Sequence, residues 1–103
     1  MSQKAILIMM TDVPAELEAQ YHTWYNEVHL PELLSIPGIQ SARRFRLQGE
    51  GIRFMALYEL DHAGVLSSDA FLAWKANSES TRYWSERFSA TQRLVYEQIY
   101  PVT

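Results

Sequence analysis

The 103-residue chain has no cysteine, which excludes a disulfide framework and any thiolate nucleophile or ligand. Its four glycines form no phosphate-binding loop. The net charge of −3 provides no broad basic surface for nucleic acid or anionic lipid. The apolar run from Ala5 to Met10 is too short to span a bilayer. We therefore expect that the protein binds no nucleic acid and is not a membrane protein.

The amino-terminal residues MSQKAILIMMT lack the basic start, long apolar stretch and small-residue cleavage site of a signal peptide. A cytoplasmic location is the expectation. The composition, 48% apolar and 13% aromatic, is richer in bulky side chains than one small core hides. It favours a lined cavity or an oligomer interface, and we expect a homodimer.

Patterning divides the chain into alternating strands and helices. Residues 4–11 are a short apolar run suited to a central strand buried on both faces. Asp12 can cap a helix over residues 14–29, and a strand pair over 39–47 and 52–60 flanks a glycine-containing turn. The remaining elements are a helix capped by Ser67 or Ser68, a helical turn over 81–88 and a strand over 93–100.

The first helix carries an apolar stripe for packing on the sheet. At 100° per residue, its members fall within about 60° of one another; they are Leu17, Tyr21, Trp24 and Val28. Pro31 cannot donate a hydrogen bond to the carbonyl of Glu27, so the helix is expected to end or kink near His29.

The predicted order, β-α-β-β-α-β, is that of an α+β ferredoxin-like domain. Its right-handed crossovers place both helices on one face of an antiparallel sheet and leave the other face bare. A second copy of the chain is the simplest cover for that face.

Several short motifs also resemble a known family: Trp24-Tyr25, His29-Leu30-Pro31, Pro37-Gly38 and Ala42-Arg43-Arg44-Phe45. The whole chain, as one domain over residues 1–103, resembles the EthD-like branch of the dimeric α/β-barrel superfamily. The resemblance implies two sheets packed face to face, a cavity between helices and sheet in each protomer, and a small organic ligand. Relatives include polyketide and aromatic cyclases, muconolactone isomerases and cofactor-free monooxygenases. Some distant relatives bind haem, but the sequence does not single out an axial histidine, and we expect no cofactor.

His29 is the first candidate catalytic residue. It lies about 110° from the centre of the stripe and Tyr25 about 70°, so both border the core and can touch at a spacing of four residues. A helix carboxyl end favours protonated histidine and burial disfavours it, a balance suited to proton transfer. The alternative is that His29 only caps the last carbonyls of the helix.

Arg44 and Tyr58 complete the predicted catalytic group. Arg44 points away from Phe45 and can hold a carboxylate or enolate oxygen, although arginines on an edge strand also protect it against unwanted pairing. The Tyr58 hydroxyl can enter a pocket or simply bond to backbone.

Five further side chains are candidates for substrate binding: His22, Tyr25, Asn26, Trp74 and Trp84. Surface exposure is the stronger expectation for His22, and core packing competes for the two tryptophans. His22 and His29 are two helical turns apart, some 10 Å along the axis, which excludes a shared metal site on a straight helix. We expect no metal.

These residues suit a cofactor-independent isomerase, cyclase or lyase acting on a cyclic or aromatic compound, such as a catabolic intermediate or polyketide. Two alternatives stay open: a non-catalytic binding protein for a hydrophobic metabolite, and a cofactor-free monooxygenase.

Overall fold

The structure, a computed structural model, describes residues 3–102. Four antiparallel strands form one sheet in the order β2-β3-β1-β4, with the helices on one face. The strands are β1 (Ala5–Asp12), β2 (Ile39–Arg46), β3 (Phe54–Leu60) and β4 (Ala90–Glu97), and the α-helices are α1 (Glu18–Trp24), α2 (Leu30–Leu34), α3 (Asp69–Asn77) and α4 (Glu79–Ser85). This is the ferredoxin-like βαββαβ topology predicted from the sequence.

The apolar run forms β1, which lies between β3 and β4 as expected for a central strand. Its side chains alternate between the two faces. Ala5 and Leu7 face the helices and are buried, whereas Ile6 and Ile8 face the other way and are only half-buried. The expectation that both faces of β1 are buried is therefore wrong for a single protomer.

The first helical region does not end at His29, and a π-helical turn stands where an end or a kink is expected. A 3-10 turn (Ala15–Leu17) leads into α1, a π-helical turn (Tyr25–His29) follows, and α2 continues to Leu34. Leu30 N–H donates to the carbonyl of Tyr25, five residues back. Pro31, which has no N–H to donate, follows directly, so the wider turn lets the helix pass the proline instead of breaking.

The π turn also changes which residues face the core. Each residue of a wider turn advances by less than the 100° of an α-helix, so His29 lies more nearly above Tyr25. Both side chains are buried, and Val28, which was assigned to the core stripe, is exposed. The predicted stripe is correct for Tyr21 and Trp24 and wrong for Val28.

Asp12 does not cap the first helix, which starts without a side-chain cap. Its carboxylate instead accepts hydrogen bonds from the backbone N–H and the Nε of Arg53, the latter at 2.8 Å. Arg53 also donates to Glu18 at 2.9 Å, so this arginine ties β1 to the start of α1. Burial raises the pKa of Asp12, hydrogen bonds from Arg53 lower it, and the net pKa is lowered.

Two strands depart from their predicted form. β2 has a bulge between Ile39 and Ser41, so Ile39 faces the helices together with Ala42 and Arg44. β4 begins and ends about three residues earlier than expected because it pairs along the whole length of β1. Both later helices are capped by serine: the hydroxyl of Ser68 accepts from Phe71 N–H, and that of Ser78 from Thr81 N–H.

Candidate functional site

A cavity of about 220 Å³ lies between the helices and the sheet. Its wall is mostly apolar and aromatic, with polar and cationic side chains among the remainder. It is lined by Leu7, Met9, Trp24, Tyr25, His29, Leu33, Tyr58, Phe71, Trp74, Lys75, Thr81, Ser85, Phe88, Thr91 and Arg93. Four of the side chains predicted for catalysis or substrate binding therefore share this cavity: Tyr25, His29, Tyr58 and Trp74.

Tyr58 contributes a hydroxyl that has no hydrogen-bond partner within residues 3–102. The side chain is 0% exposed and points from the middle of β3 toward the helices. Burial raises the pKa of Tyr58 far above its ordinary value, and the charge and hydroxyl of the neighbouring Tyr25 add to the effect. The two hydroxyls are near each other but do not meet the distance and angles of a hydrogen bond. The Tyr58 hydroxyl is thus a protonated donor, and an unpaired buried hydroxyl costs about 1–3 kcal/mol.

His29 is held in a fixed position by aromatic rings. Its imidazole stacks on Trp24 at 4.5 Å between centroids and meets the edge of Tyr25 at 4.9 Å. Nδ1 lies 3.3 Å from the hydroxyl oxygen of Thr81, in α4. This contact leaves Nε2 for a ligand in the cavity.

The electrostatics of His29 differ from the balance expected at a helix end. The helix continues past it, so no terminal carbonyls favour the imidazolium, and only 6% of the residue is exposed. Burial, with a smaller contribution from the charge of Arg44, lowers the pKa of His29 to about 4. The ring is neutral near pH 7 and can accept a proton or a hydrogen bond.

Of the aromatic side chains predicted to bind substrate, Tyr25 and Trp74 line the cavity and Trp84 does not. Trp84 stacks behind Trp24 at 5.7 Å and belongs to the core. Burial raises the pKa of Tyr25 to about 12, so its hydroxyl is protonated.

Arg44 faces the helices but lies outside the cavity lining. Its guanidinium packs over the ring of Tyr25, 4.4 Å from the centroid, and donates to Asn26 Oδ1 at 2.9 Å. The predicted role of Arg44 in holding a ligand oxygen in this cavity is therefore not supported by its position. Arg44 affects the cavity only through the electric field of its charge and through its contact with the Tyr25 ring.

His22 and Asn26, predicted to bind substrate, lie with Arg44 on the outer side. Arg44 is 3.0 Å from His22 Nδ1, and His22 Nε2 is 3.7 Å from Glu18. Burial and the neighbouring Arg44 lower the pKa of His22. A shallow pocket of about 220 Å³ opens here, lined by His22, Arg44, Phe45, Arg46 and Phe54. The candidate residues predicted from the sequence are therefore divided between this outer pocket and the helix-side cavity.

A larger groove of about 600 Å³ opens at one end of the sheet and extends onto the bare face. Charged residues line much of it, including the Arg43–Glu59 pair at 3.3 Å. It contains neither a histidine nor an unpaired buried donor. In the part of the chain described, no group of three or more His, Cys, Asp or Glu side chains is placed to hold a metal ion.

Sequence reasoning missed Thr81, Lys75 and Arg93 as cavity residues. Thr81 and Lys75 lie on the second pair of helices, and their place in a cavity shared with His29 depends on tertiary packing. Arg93 was predictable in principle: the correct register of β4 pairs it with Met9, on the helix side of the sheet.

The strand order and the helix-side cavity define the protein as a ferredoxin-like α+β domain. Residues 4–98 match the sequence profile of a family described as a domain of unknown function, DUF4286. The chain belongs to this family. No curated protein matches it.

Solved structures share the fold across nearly the whole chain. An EthD family protein from Bacillus halodurans is 17% identical, with a TM-score of 0.67 over 93% of this chain and 99% of that one. A haem-degrading protein from Mycobacterium tuberculosis is 14% identical, with a TM-score of 0.65 over 100% and 99%. A dimeric protein of unknown function from Bacteroides fragilis, with a ferredoxin-like fold, is 14% identical, with a TM-score of 0.65 over 92% and 96%. At these low identities, the structural likeness shows the fold alone.

Proposed function

We propose that the protein is a homodimeric, cofactor-independent enzyme that binds a small cyclic or aromatic molecule in the helix-side cavity and isomerises, cyclises or cleaves it. The observation that supports this most is the unpaired Tyr58 hydroxyl in the same cavity as the His29 imidazole. A ligand carbonyl or hydroxyl would give that buried donor its missing partner.

The two side chains suit proton transfer next to a carbonyl. Tyr58 donates a hydrogen bond to the ligand oxygen, and His29 Nε2 takes a proton from the adjacent carbon. The electron pair of the broken C–H bond forms an enolate, whose charge the Tyr58 hydroxyl stabilises. The imidazolium then returns the proton to another carbon, so no atom is gained or lost. Because its pKa is low, His29 is a weak base and removes a proton only from an activated C–H group. The enolate charge that develops beside the ring then stabilises the imidazolium.

The cavity volume sets the size of the substrate. Ligand pockets usually range over about 300–1,000 Å³, and this one, at about 220 Å³, suits a single ring. Haem is larger than the cavity as it stands, and we assign no step to it.

The test is turnover of a probe with the required groups. A β,γ-unsaturated cyclohexenone, whose conversion to the conjugated isomer is followed by absorbance, is one such probe. Tyr58→Phe should lower kcat/KM by about a hundredfold, the usual loss for one oxyanion donor. It should also raise the free energy of unfolding, because it removes a buried hydroxyl that has no partner. His29→Gln should be similarly impaired, and His62→Gln, in the loop after β3, is the matched control.

A binding protein without turnover is the second candidate, favoured by the low pKa of His29 and the apolar wall. It predicts that phenol binds, as followed by tryptophan fluorescence, with equal affinity in wild type and His29→Gln, and that no probe is converted. Oxygen uptake with a phenolic probe and no added metal or flavin would instead indicate a cofactor-free monooxygenase.

The homodimer is supported by the bare sheet face and by the dimeric neighbour from Bacteroides fragilis. No helix within residues 3–102 is long and apolar enough to cross a membrane. We place the enzyme in the cytoplasm, in the breakdown of aromatic compounds.

A further inference from the structure

We infer that the ligand of the helix-side cavity carries a carboxylate, held at the mouth by Lys75 and Arg93, while its uncharged polar group reaches Tyr58 inside. This inference rests on the proposed function, because it assigns a substrate class to the same cavity. The class is a single-ring aromatic or cyclic carboxylate with a carbonyl or hydroxyl at the opposite end.

The first observation is the distribution of charge along the cavity wall. The lining includes two basic side chains, Lys75 and Arg93, and no aspartate or glutamate. Lys75 is on α3 directly after Trp74, and Arg93 is on β4 with its side chain on the helix face. Both residues are exposed, so the positive charge lies at the opening and not in the depth of the cavity.

The second observation is that neither cation has a partner among the described residues. Neither takes part in an ion pair within 4.0 Å or in a side-chain hydrogen bond there, although Arg43 and Arg53 both do. Glu32, the acidic residue near Trp74, accepts a hydrogen bond from Trp74 Nε1 at 3.1 Å and does not line the cavity. Two unneutralised cations beside an apolar opening attract anions and raise their local concentration.

The interior determines the orientation. Tyr58 and Tyr25 are protonated and His29 is neutral, so no cation lines the depth of the cavity. The charge of Arg44 lies behind the ring of Tyr25, outside the lining, and cannot pair directly with an anion buried there. Burying an unpaired carboxylate there would be very costly. At the mouth the same carboxylate keeps part of its hydration and meets both cations. A ligand with one charged end and one uncharged polar end therefore fits in only one direction.

The experiment compares two nearly isosteric probes, para-hydroxyphenylacetate and para-hydroxyphenylacetamide, with Kd measured by tryptophan fluorescence. Wild type should bind the carboxylate about five- to tenfold more tightly, the effect of two exposed ion pairs. The preference should shrink as salt is added. The double variant Lys75→Gln/Arg93→Gln should bind both probes equally. Lys4→Gln/Arg46→Gln removes the same charge elsewhere and should retain the preference.

The outcomes separate the two proposals. Equal binding of both probes by wild type, or an unchanged preference in Lys75→Gln/Arg93→Gln, overturns the assignment of the carboxylate and leaves the cavity proposal standing. Binding of neither probe, with no change in fluorescence at saturating concentrations, overturns the inference together with the cavity on which it depends. A preference lost equally in Lys4→Gln/Arg46→Gln shows only a net-charge effect and also overturns it.

Discussion

Tyr58 and His29 are both polar side chains placed where the chain could have used apolar ones. A phenylalanine at position 58 would fill almost the same volume without leaving a buried hydroxyl unpaired. A neutral aromatic ring at position 29 would avoid the penalty of burying an imidazole that must stay unprotonated. The stability lost at both positions is understandable if a ligand supplies the missing partners.

Burial of His29 makes the stability of the protein depend on pH. The folded-state pKa is about 4 and the ordinary value is 6.5, so between these values the unfolded chain binds a proton that the folded chain refuses. The free energy of unfolding should be highest above pH 6.5 and should fall by about 3 kcal/mol as the pH drops toward 4. Urea unfolding at several pH values across this range measures the loss.

The control is His29→Gln, which removes the titrating ring and should flatten this part of the profile. Asp12 has a lowered pKa, so it adds its own loss of stability in more acidic solution, equally in both proteins. Parallel profiles for wild type and His29→Gln between pH 6.5 and 4 would mean that His29 titrates normally and is not buried as described.

Local geometry was enough to predict which of three candidate residues lie near one another, and their roles stay predictions. Tyr25 and His29 are four residues apart on one helix, and Tyr58 follows from strand alternation, so all three could be named. Arg44 was assigned to the correct side of its strand, but its partner there was set by packing against Tyr25, which the sequence does not show. The mouth of the cavity, lined by Lys75 of α3 and Arg93 of β4, depended on tertiary packing altogether.

At the scale of elements, the π turn positions two of the rings that line the cavity, Tyr25 and His29. A regular α-helix through Tyr25–His29 would place these side chains about 40° apart around the axis, since four residues at 100° exceed one full turn. The wider turn reduces that offset and brings both rings onto the sheet side. Helix angles calculated from sequence assume an α-helix throughout, which is why Val28 was wrongly assigned to the core.

The strands were easier to predict than the ends of the elements. Alternation and apolar runs identified all four strands. Ser68 marked the start of α3, and the glycine-containing turn marked the connection between β2 and β3. The bulge at Ile39 and the start of β4 depend on which strand each pairs with. Such pairing is decided by the whole sheet and not by local pattern.

The turn between α2 and β2 provides a prediction at this scale. Gly38 has a φ of +97°, and a Cβ there would lie 2.5 Å from Val65 Cγ2, in the 3-10 turn after β3. Gly38→Ala should lower the free energy of unfolding by about 2–4 kcal/mol, combining backbone strain and overpacking. Chemical denaturation monitored by tryptophan fluorescence measures the change.

Gly49→Ala is the matched comparison because Gly49 also has a positive φ, +119°, but a Cβ there meets nothing within 4 Å. It should cost only the backbone strain, about 1 kcal/mol. Equal losses at the two positions would show that the contact with Val65 does not matter and that strain alone sets the cost.

At the scale of the whole molecule, the sheet has one covered and one uncovered face. The uncovered face has a largely apolar centre that crosses all four strands: Ile6, Ile8, Met10, Phe45, Met55, Leu57, Leu94 and Tyr96. A patch of this extent on a small domain is typical of an interface. A ligand cavity on the helix side stays open if two such sheets pack face to face.

Ile8→Asp tests this arrangement because Ile8 lies on the central strand, paired with Leu57 and Leu94 on the same face. In a twofold dimer each substitution occurs twice, and each buried aspartate lacks a partner charge. The dimer dissociation constant should rise by at least about a hundredfold, measured by sedimentation equilibrium. Leu72→Asp, at a half-exposed site on α3, introduces the same charge on the helix side and should leave the dimer intact. A dimer that survives Ile8→Asp but is lost in Leu72→Asp would place the interface on the helices, where it would close the cavity that the proposed function requires to be open.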